Sequence, residues 1–120
     1  MQTNILDKPL INCSTDPMTG YFRDGICRTI NQDLGSHTVC AVMTEEFLNY
    51  SKQQGNDLTT PIPEFNFQGL KEGDKWCLCA ARWKEAYDSG CAPMIDADAT
   101  SIHATKYADK KILLQYSIKK

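Results

Sequence analysis

No long apolar run occurs in this sequence. The longest are Val39–Met43 and Leu78–Ala81 with Cys77 before it, far short of the roughly 20 residues a membrane-spanning helix needs, so no membrane partner is expected. A basic excess is missing too. Thirteen Lys and Arg stand against fifteen Asp and Glu, a net charge of −2. Without a basic stripe to neutralise phosphates, a nucleic-acid partner is not expected. The lysines at 110, 111, 119 and 120 cluster only near the C-terminal end, where solvation and attraction to a helix C-terminus account for them. There is no Cys-x-x-Cys pair, which argues against thioredoxin-like chemistry. The opening residues, Met1 to Pro9, carry no apolar leader core. A cytoplasmic, reducing setting is therefore the expectation, with all six cysteines read as reduced thiols rather than as three disulfides.

What is there is ordinary for a globular chain: 120 residues, 42% apolar and 23% charged. That fits a single domain over residues 1–120, large enough to bury a core without staples. The first third reads as short strands joined by tight turns. Asp16-Pro17-Met18-Thr19-Gly20 places proline and glycine where a turn wants them, and Asp24-Gly25 between Tyr21-Phe22 and Ile26-Cys27 reads as a hairpin. Thr38–Met43 is a β-branched, apolar strand that runs into Thr44, a good N-cap, with Glu45 and Glu46 in the first turn of a helix. Phe47, Leu48 and Ser51 share one face of it, and Gly55 is placed to end it. Trp76–Cys79 repeats the pattern as a strand. A helix follows, with Ala80, Trp83, Ala86 and Tyr87 at helical spacing and Gly90 as its stop. Met94–Ala99 alternates as a half-buried strand with Asp96 and Asp98 toward water. A last helical region starts near Ile102, with Asp109 as a restart cap. The fold class this predicts is α+β: a two-layer sandwich with helices on one face of a small mixed or antiparallel sheet.

Residues 56–75 make a long connection with Pro61, Pro63, Gly69 and Gly73 and two phenylalanines, Phe65 and Phe67. Connections of this length are often functional, and this one reads either as a lid or as an extended segment whose phenylalanines fill the core.

Chemistry-bearing residues concentrate on turns and strand ends. Cys40 and Cys79 each lie just ahead of a helix, with Arg23, His37 and Arg82 as cationic neighbours, the setting in which a thiol acts as a nucleophile. Cys40 with His37 is the catalytic pair this favours. His37, Cys40, Cys77 and Cys79 also offer four nitrogen and sulfur donors, which invites a zinc reading. Period-2 alternation puts His37 and Cys40 on opposite strand faces, and Cys-x-Cys on a strand is not the usual turn spacing. Buried thiols are favoured over zinc, and no metal ligand set is assigned. Arg23 and Asp24 on the hairpin, Asn56 and Asp57 after the first helix, and Trp76 and Arg82 around the second strand are the candidate ligand-binding residues. An arginine there can hold a carboxylate or phosphate bidentately. Trp83 at helical spacing reads as core, and His103 as structural or exposed.

Four stretches carry a resemblance: Cys13 to Gly25, His37 to Leu48, Gly55 to Pro61 and Gly69 to Trp83. In order and spacing, over about residues 4–100, they resemble the domain of unknown function 2237 family, small proteins mostly from bacteria. The resemblance implies a two-layer α/β sandwich and a stand-alone cytoplasmic protein, and brings no activity, substrate or cofactor. Where the family pattern has a Thr-His pair, this chain has Thr100-Ser101.

The functional expectation is a domain that binds or processes a small polar or anionic molecule in a pocket near Arg23, His37 and Cys40. Whether it is an enzyme is left open, as is its oligomeric state. The alternative is a zinc-stabilised structural or protein-interaction domain.

Overall fold

The computed structural model describes residues 2–118. Two strand–helix units form its centre. Strand β1, His37–Val42, leads into helix α1, Glu45–Gln53; strand β2, Lys75–Cys79, leads into helix α2, Ala80–Asp88. The strands pair antiparallel as a two-stranded ribbon, with Cys40 opposite Cys77 and Ala41 opposite Trp76, and the register slips between His37 and Val39. The expected α+β class holds, with the sheet antiparallel. Thr44 caps α1 as its sequence predicts: its hydroxyl accepts the Phe47 N–H at 3.0 Å, satisfying one of the donors a helix start leaves open.

Period-2 alternation sorts the ribbon into two faces. Val39, Ala41 and Leu78 join the main apolar core with Phe47 and Leu48 of α1 and Trp83 and Ala86 of α2. Trp83 is fully buried, as expected. Its indole N–H donates to Pro93 O at 3.0 Å, and its ring stacks on Tyr87 at 5.8 Å between centroids. On the other face Cys40 and Cys77 form a second buried cluster with Cys13, Cys27 and Ala99.

Here the reduced-cysteine expectation fails. Cys13 is disulfide-bonded to Cys40 and Cys27 to Cys77, with Cα separations of 5.7 and 5.2 Å. Cys79 and Cys91 are the free cysteines. Each bond ties a residue of the N-terminal segment to one strand of the ribbon. Sequence reading treated each thiol as a small apolar side chain; nothing local revealed that the fold stacks four of them on one face. The reduced-thiol reading, drawn from the expectation of a reducing compartment, is overturned by these two bonds.

The N-terminal third also departs from expectation. Among the described residues no strand precedes β1; only isolated bridges occur, such as Thr3 with Pro9 and Thr15 with Met18. The turn at Asp16–Gly20 is present, with a cis Asp16–Pro17 bond. Backbone groups that a ladder would use go instead to local turns: Gly25 N–H to Thr19 O at 2.9 Å and Cys13 N–H to Gly25 O at 2.7 Å. The disulfides and these turns hold the segment.

Residues 94–101 run along the other edge of β1, through Val42 N–H to Met94 O and Asp96 N–H to Cys40 O, both 2.8 Å. The strand expected over Met94–Ala99 does not form: Ile95 makes isolated bridges to Ala41 and Ser117, and Asp96 caps a short 3-10 turn, Ala97–Ala99. The alternation stops, so Asp96 does not face water. It is 2% exposed and paired with Lys75 at 3.1 Å. The late helical region is a 3-10 helix, Ile102–Lys106, then helix α3, Lys110–Gln115, after Asp109. Lys110 and Lys111 thus stand at the start of α3 and not at a helix C-terminus; Lys110 reaches Asp7 at 3.4 Å. Lys119 and Lys120 lie outside the described residues. No helix among those described is long and apolar enough to cross a membrane.

The 56–75 connection is pinned in its middle. Leu70 is buried and its N–H donates to Leu58 O at 2.7 Å. Phe67 packs edge-on against Trp76, while Phe65 is 70% exposed, so the two phenylalanines part company.

Candidate functional site

A cavity of about 450 Å³ opens where the ribbon passes into α2. Cys77, Leu78 and Cys79 of β2 line it with Gly20, Tyr21 and Arg23 of the turn, His37, Asn56, Leu58, Trp76 and Arg82. Five residues singled out in the sequence meet here: Arg23, His37, Asn56, Trp76 and Arg82.

Local chemistry fixes each one. Arg23 has a left-handed φ of 56°; its Nη1 donates to Met18 O at 3.1 Å, and its guanidinium lies 5.4 Å from the Trp76 ring centroid. Arg82, in the first turn of α2, donates to Gln54 O at 3.2 Å. Asn56 is held by its backbone, which gives its N–H to Ser51 O and takes the Ser51 hydroxyl on its own carbonyl at 2.6 Å.

His37 is the most constrained. Its Nδ1 lies 2.7 Å from Asp33 Oδ1, and its backbone N–H donates to Asp33 Oδ2 at 2.9 Å. Asp33 Oδ2 also accepts the Thr29 hydroxyl at 3.0 Å. The Asp33 carboxylate has 0% exposure, whereas the His37 side chain is 42% exposed. An acceptor-only carboxylate makes Nδ1 the donor, so in the neutral ring the lone pair is on Nε2. Asp33 is not among the residues singled out from the sequence. Its four-residue lead on His37 across Gly35 was the available signal.

The remaining candidates are engaged elsewhere. Asp24 binds Arg28 at 2.8 Å. Burial alone would raise its carboxyl, but the Arg28 hydrogen bond, the Ile26 N–H and the Arg28 charge outweigh that and hold it below its ordinary value. Asp57 closes a turn on Thr59 and Thr60. The Thr60 hydroxyl, then the Thr59 N–H and hydroxyl, keep it well below the usual carboxylate range. Cys40 is buried in its bond to Cys13. In this form it has no thiol to act as a nucleophile. The free thiol in the cavity is Cys79, the N-cap residue of α2.

The zinc set considered from sequence, His37, Cys40, Cys77 and Cys79, is not what the fold gathers. Among the described residues the sulfurs of Cys13, Cys27 and Cys77 lie within 4.8 Å of one another. Each is engaged in a disulfide, and metal ligation needs the thiolate.

No curated protein matches the chain. The family described as "Uncharacterized protein conserved in bacteria (DUF2237)" matches residues 3–117. That match takes in every residue lining the cavity, and the chain belongs to this family.

Proposed function

We propose that the chain binds a small anionic molecule, bearing a carboxylate or phosphate, in the cavity between Arg23, His37 and Arg82. One observation carries the reading. Two guanidinium groups and an imidazole share a concavity of about 450 Å³ in a chain whose net charge is −2, and among the described residues its lining holds no carboxylate. The volume lies in the range of small-molecule sites. Arg23 spends one donor of its five-donor fork on the Met18 carbonyl, and Arg82 spends Nη1 on the Gln54 carbonyl and on the Glu85 carboxylate 3.5 Å away, so each keeps donors for an anion. Trp76 supplies an apolar wall, and Asn56 a neutral donor and acceptor.

The test is a fluorescence titration, with Trp76 as reporter, against inorganic phosphate, citrate and benzoate. A saturable change with at least one of them is expected. Arg23→Ala or Arg82→Ala should weaken it about tenfold, the loss of one charge-assisted hydrogen bond. Curves that stay flat with all three anions, or are unchanged in both variants, would refute the reading.

A further inference from the structure

Cys79 and His37 are paired across the ribbon, at the point where its register slips. Both line the cavity. Behind His37 stands Asp33, wholly buried, bonded to Nδ1. A free thiol, a half-exposed imidazole lining the same cavity and a buried carboxylate bonded to that imidazole supply the three groups of a nucleophile, a base and an orienting residue. Cys79 also occupies the N-cap of α2, where first-turn N–H groups lack helical partners; the Ala80 N–H is taken by Ser36 O at 2.9 Å, which leaves the N–H groups after it. Such donors suit an oxygen that gains negative charge.

We infer that this cavity carries out acyl transfer from a small anionic ester to water, with Cys79 as nucleophile, His37 as general base and Asp33 as the residue that positions His37. The inference rests on the anion-binding reading, since Arg23 and Arg82 hold the charged end of the substrate. In the first step the Cys79 thiol proton passes to His37 Nε2 as the sulfur attacks the acyl carbon. A C–S bond forms, the ester C–O bond breaks, and the departing alkoxide takes the proton from His37. In the second step water attacks the thioester, giving one proton to His37. A C–O bond forms, the C–S bond breaks, and the sulfur recovers the proton. No electrons change hands and water is the only co-reactant. Cys91, the other free thiol, bonds Ser89 O at 3.5 Å and takes no part in the cavity lining. It serves as an internal control.

The experiment uses the full chain without reductant, so that both disulfides persist. The probes are 4-acetoxybenzoate and its neutral methyl ester. The expected result is an acetyl adduct on Cys79, release of 4-hydroxybenzoate, and a faster reaction with the anionic ester. Cys79→Ser and His37→Gln should each lower the rate about 10²-fold or more, while Cys91→Ser keeps it. Asp33→Asn should lower the rate while leaving the affinity for 4-acetoxybenzoate, read from Trp76 fluorescence, unchanged; a merely structural role would move both. Saturable binding without acyl transfer overturns the triad and leaves the anion pocket standing. Acyl transfer equally fast with the neutral ester overturns the pocket instead. A Cys79→Ser protein as active as the parent overturns the assignment of the nucleophile.

Discussion

Cys40 and Cys77 stand opposite one another in the β1–β2 ladder, and their side chains leave the same face of the ribbon. Each bonds to a different point of the N-terminal segment, Cys13 and Cys27. The ladder does not bond these two residues to each other through their N–H groups. Cys40 N–H goes to the Thr100 hydroxyl at 3.1 Å and Cys77 N–H to the Thr19 hydroxyl at 2.8 Å. The segment that carries Arg23 is thereby fastened to the strand that carries Trp76.

Thiol counting follows directly. Protein unfolded under alkylating conditions should show two reactive thiols, Cys79 and Cys91. The Cys27–Cys77 link closes a sequence separation of 50 residues, so the double substitution Cys27→Ala/Cys77→Ala should cost about 4 kcal/mol by the loop-entropy argument. Urea unfolding measures it. Four or more alkylated thiols would end the disulfide assignment.

Asp33→Ala removes the acceptor of three hydrogen bonds. It leaves the His37 N–H and the Thr29 hydroxyl without that partner, at a cost of about 2 kcal/mol. The imidazole should also lose its fixed orientation, which an NMR tautomer assignment of His37 would report. Unchanged stability together with an unchanged tautomer would contradict the role given to Asp33.

The elements that sequence made legible are those whose signals are local. Thr44 as a cap, the Phe47–Leu48–Ser51 face and Gly90 after α2 are each set within one turn of chain. Arg23, His37, Asn56, Trp76 and Arg82, singled out because they sit at turns and strand ends, line one cavity, whereas Asp24, Cys40 and Asp57 do not. What escaped was set by distant partners. Asp96 looks solvent-facing by alternation, but Lys75 lies 21 residues away in sequence. Cys40 reads as a nucleophile until Cys13, 27 residues earlier, takes its sulfur. The burial of the Asp33 carboxylate, from which its proposed role is argued, is carried by no sequence pattern.

Gly20 couples the turn to the cavity. Its φ is +99°, and a Cβ there would meet Ile26 O at 2.6 Å, a backbone atom that cannot swing aside. Gly20→Ala should therefore destabilise by about 2 kcal/mol through positive-φ strain and the clash. It should also weaken phosphate or citrate binding, because the same turn aims Arg23. A variant with parent-like stability and binding would show that the turn relaxes freely.

Asp57 gives a pH signature. Its carboxyl is held well below the ordinary range, by the Thr60 hydroxyl first and then by Thr59. A depressed folded value means stabilisation fully present above the unfolded value, near pH 4, and lost as pH falls through the folded one. The difference in urea midpoint between the parent and Asp57→Asn should be the same at pH 7 and pH 5 and narrower at pH 3. Carboxylates common to both proteins, Asp24 among them, cancel in that difference. A midpoint difference that stays constant down to pH 3 would show that the Thr59 and Thr60 hydrogen bonds do not distinguish the ionised carboxylate from the neutral one.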